Sequence, residues 1–143
     1  MTTTIQISGR AVGGTAPALV IAEAGFNHEG SIETALALID AAAAAGADAI
    51  KFQSFRPNDL VLPASPLQPI FAAATLTEEE HARLAERARA RRIHFCSTPF
   101  SPHWVEVLDR LGVPFFKVAS MDLTNPELLD AIGRTGKPVF LST

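Results

Sequence analysis

Short apolar, strand-like runs alternate with helix-like segments along most of this 143-residue chain. The five runs cover residues 19–24, 49–55, 93–97, 115–120 and 138–142. Each intervening segment opens on a helix-start signal. In order, these signals are Ser31, the capping-box pair Thr77 and Glu80, Ser101-Pro102, and Asn125-Pro126. Repeated strand and helix alternation predicts parallel strands joined by right-handed crossovers.

Two segments fall outside this alternation. Residues 5–8 and 11–14 bracket Gly9-Arg10, which predicts a small β-hairpin that caps one end of the sheet. Residues 56–69 contain four prolines, which predicts a loop. We therefore expect an N-terminal hairpin over residues 1–18 and an α/β domain over residues 19–143.

Polar side chains fall on one alternation of the predicted strands, and the other alternation is apolar. The polar set is Glu23, Lys51, Gln53, His94, Thr98 and Lys117. A doubly wound sheet buries both of its faces under helices, whereas a barrel turns alternate side chains into an interior whose top layer can be polar. The pattern therefore favours a (β/α)8 TIM barrel with its active site at the C-terminal mouth.

The number of predicted strands is smaller than a complete barrel requires. Such a barrel has eight strands and usually about 250 residues. The fifth predicted strand reaches the last residues of the sequence, so we expect a barrel that is truncated after about five strands. An apolar strand exposed at that edge would be an aggregation hazard for an isolated domain.

Two lysines lie within apolar strand-like runs, Lys51 in AIKFQS and Lys117 in FFKVAS. A lysine buried in the middle of a strand is costly unless an anion or a carboxylate compensates its charge. Two such lysines indicate a site for a small, multiply charged anion. The alternative is that each side chain extends along an edge strand to reach water.

Composition argues against several classes of partner and location. The formal net charge of −3 disfavours nucleic acid or an anionic membrane as the main partner. No apolar run reaches membrane-spanning length and no secretory signal opens the sequence, so we expect a cytoplasmic protein. Cys96 is the only cysteine, which excludes an intramolecular disulfide.

Five motifs recur in order and at compatible spacing. They are AEAGFNHEG (22–30), IDAAAAAGADAIKFQSF (39–55), STPF (97–100), GVPFFKVASMDLTNPELL (112–129) and TGKPVFLST (135–143). Together they resemble the N-terminal part of the barrel domain of the N-acetylneuraminate (sialic acid) synthase family, which includes legionaminate and pseudaminate synthases. The resemblance implies that the C-terminal barrel strands and a small antifreeze-like domain are absent from these 143 residues.

The resemblance implies a condensation of phosphoenolpyruvate with an N-acetylated amino sugar of the N-acetylmannosamine type. The products would be a nine-carbon sialic-type acid and phosphate. A divalent metal, Mn or Mg, would polarise the sugar aldehyde. Its usual histidine ligands would lie beyond residue 143, so we assign no metal ligand in this chain. Relatives commonly form homodimers through the second domain, which leaves a homodimer open.

The resemblance also implies roles for eight residues. The expected catalytic residues are Glu23, Lys51, Lys117 and Asp122. The expected substrate-binding residues are Gln53, Thr98, Ser120 and Ser142. The lysines would hold the carboxylate or phosphate of phosphoenolpyruvate, with hydroxyl donors around the phosphate. Glu23 would transfer a proton or orient the sugar and water, and Gln53 would contact the sugar.

Two other functions remain open. The chain could be a noncatalytic or inactive half barrel, or another phosphoenolpyruvate-dependent or aldolase-type barrel enzyme. The segment between Phe55 and Thr77 is shorter than is usual in the family, which leaves the acceptor sugar open. Among the histidines, we expect His28 to make a structural hydrogen bond. His81 and His103 fall on helices, where we expect them to be exposed.

Overall fold

The computed structural model describes residues 4–143, which form an α/β fold of seven strands and six α-helices. The strands are β1 (Ile5–Ile7), β2 (Arg10–Val12), β3 (Ile21–Gly25), β4 (Ala49–Ser54), β5 (His94–Pro99), β6 (Phe116–Val118) and β7 (Val139–Leu141). The helices are α1 (Ile32–Ala44), α2 (Pro57–Leu60), α3 (Gln68–Ala73), α4 (Glu78–Ala90), α5 (Pro102–Arg110) and α6 (Pro126–Arg134). No helix within residues 4–143 is both long and apolar enough to cross a membrane.

The strands after the hairpin are parallel, as the alternation of strand and helix predicts. β3, β4 and β5 form one sheet in that order, and β6 pairs with β7. β5 and β6 lie side by side, so the five strands follow one another in space as they do in sequence. Parallel pairing brings their carboxyl ends to the same edge.

Alternate residues of these strands belong to two separate apolar layers. The helix-covered face carries Ile50, Phe52, Phe95, Phe116 and Val118, which pack with residues of α1, α4, α5 and α6. The opposite face, here called the inner face, carries Ala49, Cys96 and Phe115 toward the N-terminal ends of the strands. Period-two alternation then places Lys51, Gln53, Thr98 and Lys117 on the inner face above that layer. The predicted polar alternation therefore describes the upper part of the inner face, above the apolar layer.

The N-terminal hairpin covers the lower end of the inner face. Ile7 packs with Ala49, Cys96 and Phe115. The turn is Ser8-Gly9, not Gly9-Arg10 as predicted, because Ile7 pairs with Arg10 and both turn residues have positive φ. Two successive positive φ values are what a tight two-residue hairpin turn requires.

The one-residue shift of the turn gives Arg10 a role in anchoring the hairpin. Arg10 lies in β2, where its guanidinium forms an ion pair with Asp48, the residue that precedes β4. The same guanidinium donates to the Ala18 carbonyl at 2.7 Å. Asp48 also accepts from the Val20 N–H at 2.7 Å. Arg10 and Asp48 thus connect the hairpin to the starts of β3 and β4.

The proline-rich segment is not a simple loop, so the prediction for residues 56–69 was wrong in part. It contains α2 and the start of α3. Pro57 and Pro69 stand in the first turn of these helices, where the missing N–H removes no intrahelical hydrogen bond. Asp59 reinforces the start of α2 by accepting from the Arg56 N–H at 2.7 Å.

Gly30 fixes the packing of this segment against the loop that follows β3. Its φ is +77°, and a Cβ at this position would lie 1.9 Å from the Ala73 carbonyl oxygen. We expect Gly30→Ala to lower the free energy of unfolding by about 2 to 5 kcal/mol, because backbone strain and overpacking add. Gly46 is the matched control, since it has φ +80° and no atom within 4 Å of an added Cβ. Gly46→Ala should cost only about 1 to 2 kcal/mol. Equal losses in urea unfolding would contradict this close packing.

Candidate functional site

Lys51 lies on the inner face between an acidic side chain and a hydroxyl. Strand register places Glu23 beside Lys51 and Gln53 beside Thr98. The Lys51 Nζ is 2.5 Å from Glu23 Oε2 and donates to Thr98 Oγ1 at 3.4 Å. The Lys51 side chain is 12% exposed, whereas that of Glu23 is 53% exposed. The carboxylate therefore compensates a largely buried lysine while remaining open to solvent.

A bulge at the end of β3 brings Glu23 and Gln53 to the same place. The pairing register shifts between Glu23 and Gly25, and bulges of this kind redirect side chains near functional sites. A Cβ added at Gly25 would lie 3.4 Å from Glu23 Oε1 and 3.9 Å from Gln53 Nε2. A carboxylate and an amide thus meet above Gly25.

Lys117 is the second cation of the site, and its charge is less well compensated. Its Nζ donates to Ser142 Oγ and to the Val118 carbonyl, both at 2.5 Å. Burial lowers the pKa of the Lys117 ammonium, and the positive charge of Lys51 lowers it further. Glu23 offsets only part of these effects. A bound anion would stabilise the charged form of Lys117 and raise its pKa.

The two lysines and their neighbours make a site suited to an anion with two separated charged groups. Glu23, Lys51, Gln53 and Thr98 come from three adjacent strands. Lys117 lies in β6, and Ser142 directly follows β7. Two ammonium groups and two hydroxyls can donate to such an anion. The structure therefore brings together six of the eight residues assigned from the sequence.

Ser120 and Asp122 make no hydrogen bond to either lysine. Both lie in a short 3₁₀ turn, Ser120–Asp122, that follows β6. Ser120 is exposed, whereas Asp122 is buried. Asp122 Oδ1 accepts from Asn125 Nδ2 at 3.1 Å, and Asn125 caps α6 by accepting from the Leu128 N–H. These contacts connect Asp122 to the start of α6, and the roles assigned to Ser120 and Asp122 stay predictions.

A buried hydrogen-bond chain was missed by the sequence interpretation. His81 is 1% exposed, so the expectation of an exposed histidine was wrong. His81 Nε2 is 2.8 Å from Ser54 Oγ, which is 2.7 Å from Ser97 Oγ. His81 Nδ1 is 2.8 Å from the Thr77 carbonyl oxygen. This chain links β4, β5 and the start of α4.

Helical spacing contains the signal that would have identified the buried histidine. The buried residues of α4 are His81, Leu84, Ala85 and Ala88. These positions follow the i, i+3, i+4, i+7 pattern of one helix face, and His81 is its first member. His28 and His103 behave differently. His28 is buried and accepts from the Gly30 N–H at 3.1 Å, as expected of a structural residue, whereas His103 is partly exposed and pairs with Glu78.

Burial of His81 should make stability depend on pH. Burial is the main cause that lowers its pKa from 6.5 to about 4. A lowered pKa means that the folded state binds the proton less well than the unfolded state, so stability is lost as pH falls below 6.5 toward 4. We expect a loss of about 2 kcal/mol between about pH 7.5 and pH 5 from this group. Urea unfolding should give a flatter pH dependence for His81→Gln, and parallel curves for the two proteins would contradict the assignment.

Comparisons with known proteins identify relatives over nearly the whole chain. A family model described as NeuB family matches residues 38–143. Protein MJ1065 of Methanocaldococcus jannaschii is 44% identical over 97% of this chain and 41% of its own length. The N,N'-diacetyllegionaminic acid synthase of Campylobacter jejuni is 35% identical over 87% of this chain and 42% of its own length. The chain thus spans less than half the length of these relatives.

A solved structure agrees with the same relationship. It is the N-acetylneuraminic acid (sialic acid) synthetase from Leptospira borgpetersenii serovar Hardjo-bovis in complex with citrate. The TM-score is 0.94 at 35% sequence identity, over 99% of this chain and 50% of that chain. Sequence and fold therefore agree on which proteins this chain is similar to.

Proposed function

The chain belongs to the NeuB family, and from this membership we propose that the protein condenses phosphoenolpyruvate with an N-acetylated amino sugar of the N-acetylmannosamine type. The products are a nine-carbon sialic-type acid and phosphate. Because the chain spans less than half of its curated relatives, the activity is proposed for the protein at its native length. The observation that carries the proposal is the pair Lys51 and Lys117, whose ammonium groups bond to the hydroxyls of Thr98 and Ser142 on one face.

The proposal includes the architecture around this face. The five parallel strands would be the first part of a (β/α)8 barrel, with the hairpin within residues 1–18 beneath it and residues 19–143 as the partial barrel. The polar inner face above an apolar layer supports this arrangement. So does the match to half of the Leptospira synthetase chain.

Phosphoenolpyruvate suits the two lysines because it carries a carboxylate and a phosphate on the same carbon. In the proposed complex Lys51 and Lys117 hold these groups as point charges, and the hydroxyls of Thr98 and Ser142 donate to phosphate oxygens. Lys117 gains the compensating charge that it lacks in the free protein. Gln53 lies beside Thr98 in the strand register, and in the proposed complex its amide contacts the sugar.

The proposed reaction proceeds in two bond-forming steps. Carbon 3 of the enol ester attacks the sugar aldehyde carbon, and the aldehyde oxygen takes a proton from the solvent to become a hydroxyl. Water then adds to the cationic carbon 2 and loses a proton, for which the exposed carboxylate of Glu23 is the proposed acceptor. Cleavage of the bond between carbon 2 and the ester oxygen releases phosphate, the carbon 2 hydroxyl gives its proton to the solvent, and a keto acid remains.

The divalent metal expected from the family is not assigned to this chain. Within the described range, residues 4–143, no group of three or more His, Cys, Asp and Glu side chains could hold a metal ion. Glu23, the acidic side chain among the six residues that the structure brings together, is paired with Lys51. The donor set of the described residues therefore does not fit a metal, and no step is assigned to one.

Release of phosphate tests the proposed function. The protein at its native length is incubated with phosphoenolpyruvate and, separately, N-acetylmannosamine, a bacillosamine-type diacetamido sugar or a phosphorylated sugar. We expect phosphate release that requires an N-acetylated amino sugar. Release only with a phosphorylated sugar would favour another condensing enzyme of this fold. No release with any acceptor would favour the noncatalytic alternative.

A further inference from the structure

The hydrogen-bond chain through His81 has a defined direction. The Thr77 carbonyl can only accept, so His81 Nδ1 carries the hydrogen. In a neutral imidazole the other nitrogen, Nε2, is then an acceptor, and Ser54 must donate to it. Ser54 Oγ in turn is left to accept from Ser97. One neutral histidine thus orients both serine hydroxyls.

The two serines lie directly behind residues of the candidate site. Gln53 and Thr98 are register partners on the inner face, and they are the chain neighbours of Ser54 and Ser97. We call the register pair of Gln53 and Thr98 the Gln53–Thr98 rung. The hydrogen bond between Ser54 and Ser97 connects β4 to β5 on the opposite face of the sheet, next to this rung. The hydrogen bond from His81 to the Thr77 carbonyl connects these serines to the start of α4.

The hydrogen-bonded residues Ser54 and Ser97 stand where the preceding residues of the same face are apolar. The preceding residues on the helix-covered face of β4 and β5 are Phe52 and Phe95, which are buried in the main core. Ser54, Ser97 and His81 are equally buried, so they gain nothing from water. Burying a polar network costs desolvation free energy, but its directional hydrogen bonds fix the relative positions of the residues that they join. The residues fixed in this way lie beside the Gln53–Thr98 rung.

We propose that His81 is a positioning residue that, through Ser54 and Ser97, sets the spacing of the Gln53–Thr98 rung for substrate binding. This inference rests on the proposed function, since the rung is part of the proposed phosphoenolpyruvate and sugar site. His81 does not touch the substrates in this arrangement. It acts through the two serines, whose backbone continues into Gln53 and Thr98.

Two substitutions of His81 separate positioning from packing. In His81→Gln the amide oxygen reaches the place of Nε2 and can still accept from Ser54. In His81→Asn the amide nitrogen matches Nδ1, so the bond to Thr77 is kept and the bond to Ser54 is lost. Ser54→Ala removes the same link without touching the imidazole. His103→Asn is a control, because His103 pairs with Glu78 on the outer surface of the protein.

The kinetic test measures kcat/KM for phosphoenolpyruvate and thermal stability in the protein at its native length. We expect His81→Asn and Ser54→Ala to lower kcat/KM about 10- to 100-fold, the usual cost of small misplacements in a site. His81→Gln should stay near the wild type although its stability also falls. Equal kcat/KM for all folded variants, or an equal loss in His81→Gln and His81→Asn, would overturn the inference.

A crystal structure of Ser54→Ala decides the inference without depending on activity. We expect the Gln53–Thr98 rung to shift by more than about 0.5 Å, the tolerance of a preorganised site. An unchanged rung would overturn the positioning role. If the wild-type protein releases no phosphate with any acceptor, the proposed function fails, and the displacement of the rung still decides the role of His81.

Discussion

Replacing Lys117 by methionine is expected to weaken phosphoenolpyruvate binding about 100-fold while the fold is retained. Methionine is close to lysine in length and removes only the ammonium, whose partners are Ser142 and a backbone carbonyl. Truncating one member of a buried charge pair typically costs 2 to 5 kcal/mol of binding free energy, or about 30-fold and more. Burial already lowers the pKa of Lys117, so loss of the charge should not reduce stability. Isothermal titration with phosphoenolpyruvate measures the affinity.

Lys137 supplies the matched control for this experiment. Its Nζ pairs with Asp109 at 2.6 Å and lies 5.9 Å from the centre of the Phe116 ring, on the helix-covered side of β6. Lys137→Met removes the same charge from the protein without touching the site, so affinity should be unchanged. An equal loss in both variants would show that net charge alone attracts the ligand. Unchanged affinity in Lys117→Met would assign Lys117 a structural role.

Replacing Glu23 by glutamine is expected to lower turnover about 100-fold or more, the usual contribution of a general acid or base. The amide cannot take the proton that water loses at carbon 2 in the proposed reaction. Affinity for phosphoenolpyruvate should be kept or should rise, because the neutral amide no longer competes with the ligand for the Lys51 ammonium. Opposite effects on turnover and affinity distinguish a catalytic carboxylate from a simple ion-pair partner.

Glu106→Gln is the control for the glutamate experiment, since Glu106 is exposed on α5. Single-turnover phosphate release and isothermal titration on both variants give the rate and the affinity separately. Turnover that is unchanged in Glu23→Gln would restrict Glu23 to compensating Lys51. A parallel loss of turnover and affinity would indicate that the ion pair shapes the anion site.

The alternation of strand and helix and the strand periodicity were sufficient to predict the parallel strands and the polar residues that share the inner face. The roles of those residues came from the family resemblance. Lys51, Gln53 and Thr98 share the inner face because side chains alternate strictly along a strand. That rule needs no tertiary information once the strands are recognised. The pairing of Lys51 with Glu23 depends in addition on the register between β3 and β4, which the alternation alone does not determine.

The errors arose where tertiary contacts or local backbone geometry decide the outcome. The hairpin turn lies one residue earlier than predicted, because Ile7 pairs with Arg10 and leaves Ser8 and Gly9 as the turn residues. Ser8 therefore adopts a positive φ. His81 appeared on a helix rich in charged residues, yet its imidazole is held by Ser54 from another element. The burial of His81 could have been predicted from helical spacing, whereas its hydrogen bond to Ser54, a residue distant in sequence, leaves no local pattern.

The most direct measurement of the central claim is a crystal structure of the native-length protein with phosphoenolpyruvate. We expect oxygen atoms of the ligand within about 3.2 Å of the Nζ atoms of both Lys51 and Lys117. The hydroxyls of Thr98 and Ser142 should donate to the phosphate. Phosphoenolpyruvate bound elsewhere, with Lys51 still paired only to Glu23 and Lys117 only to Ser142, would contradict the claim that the two lysines form its binding site.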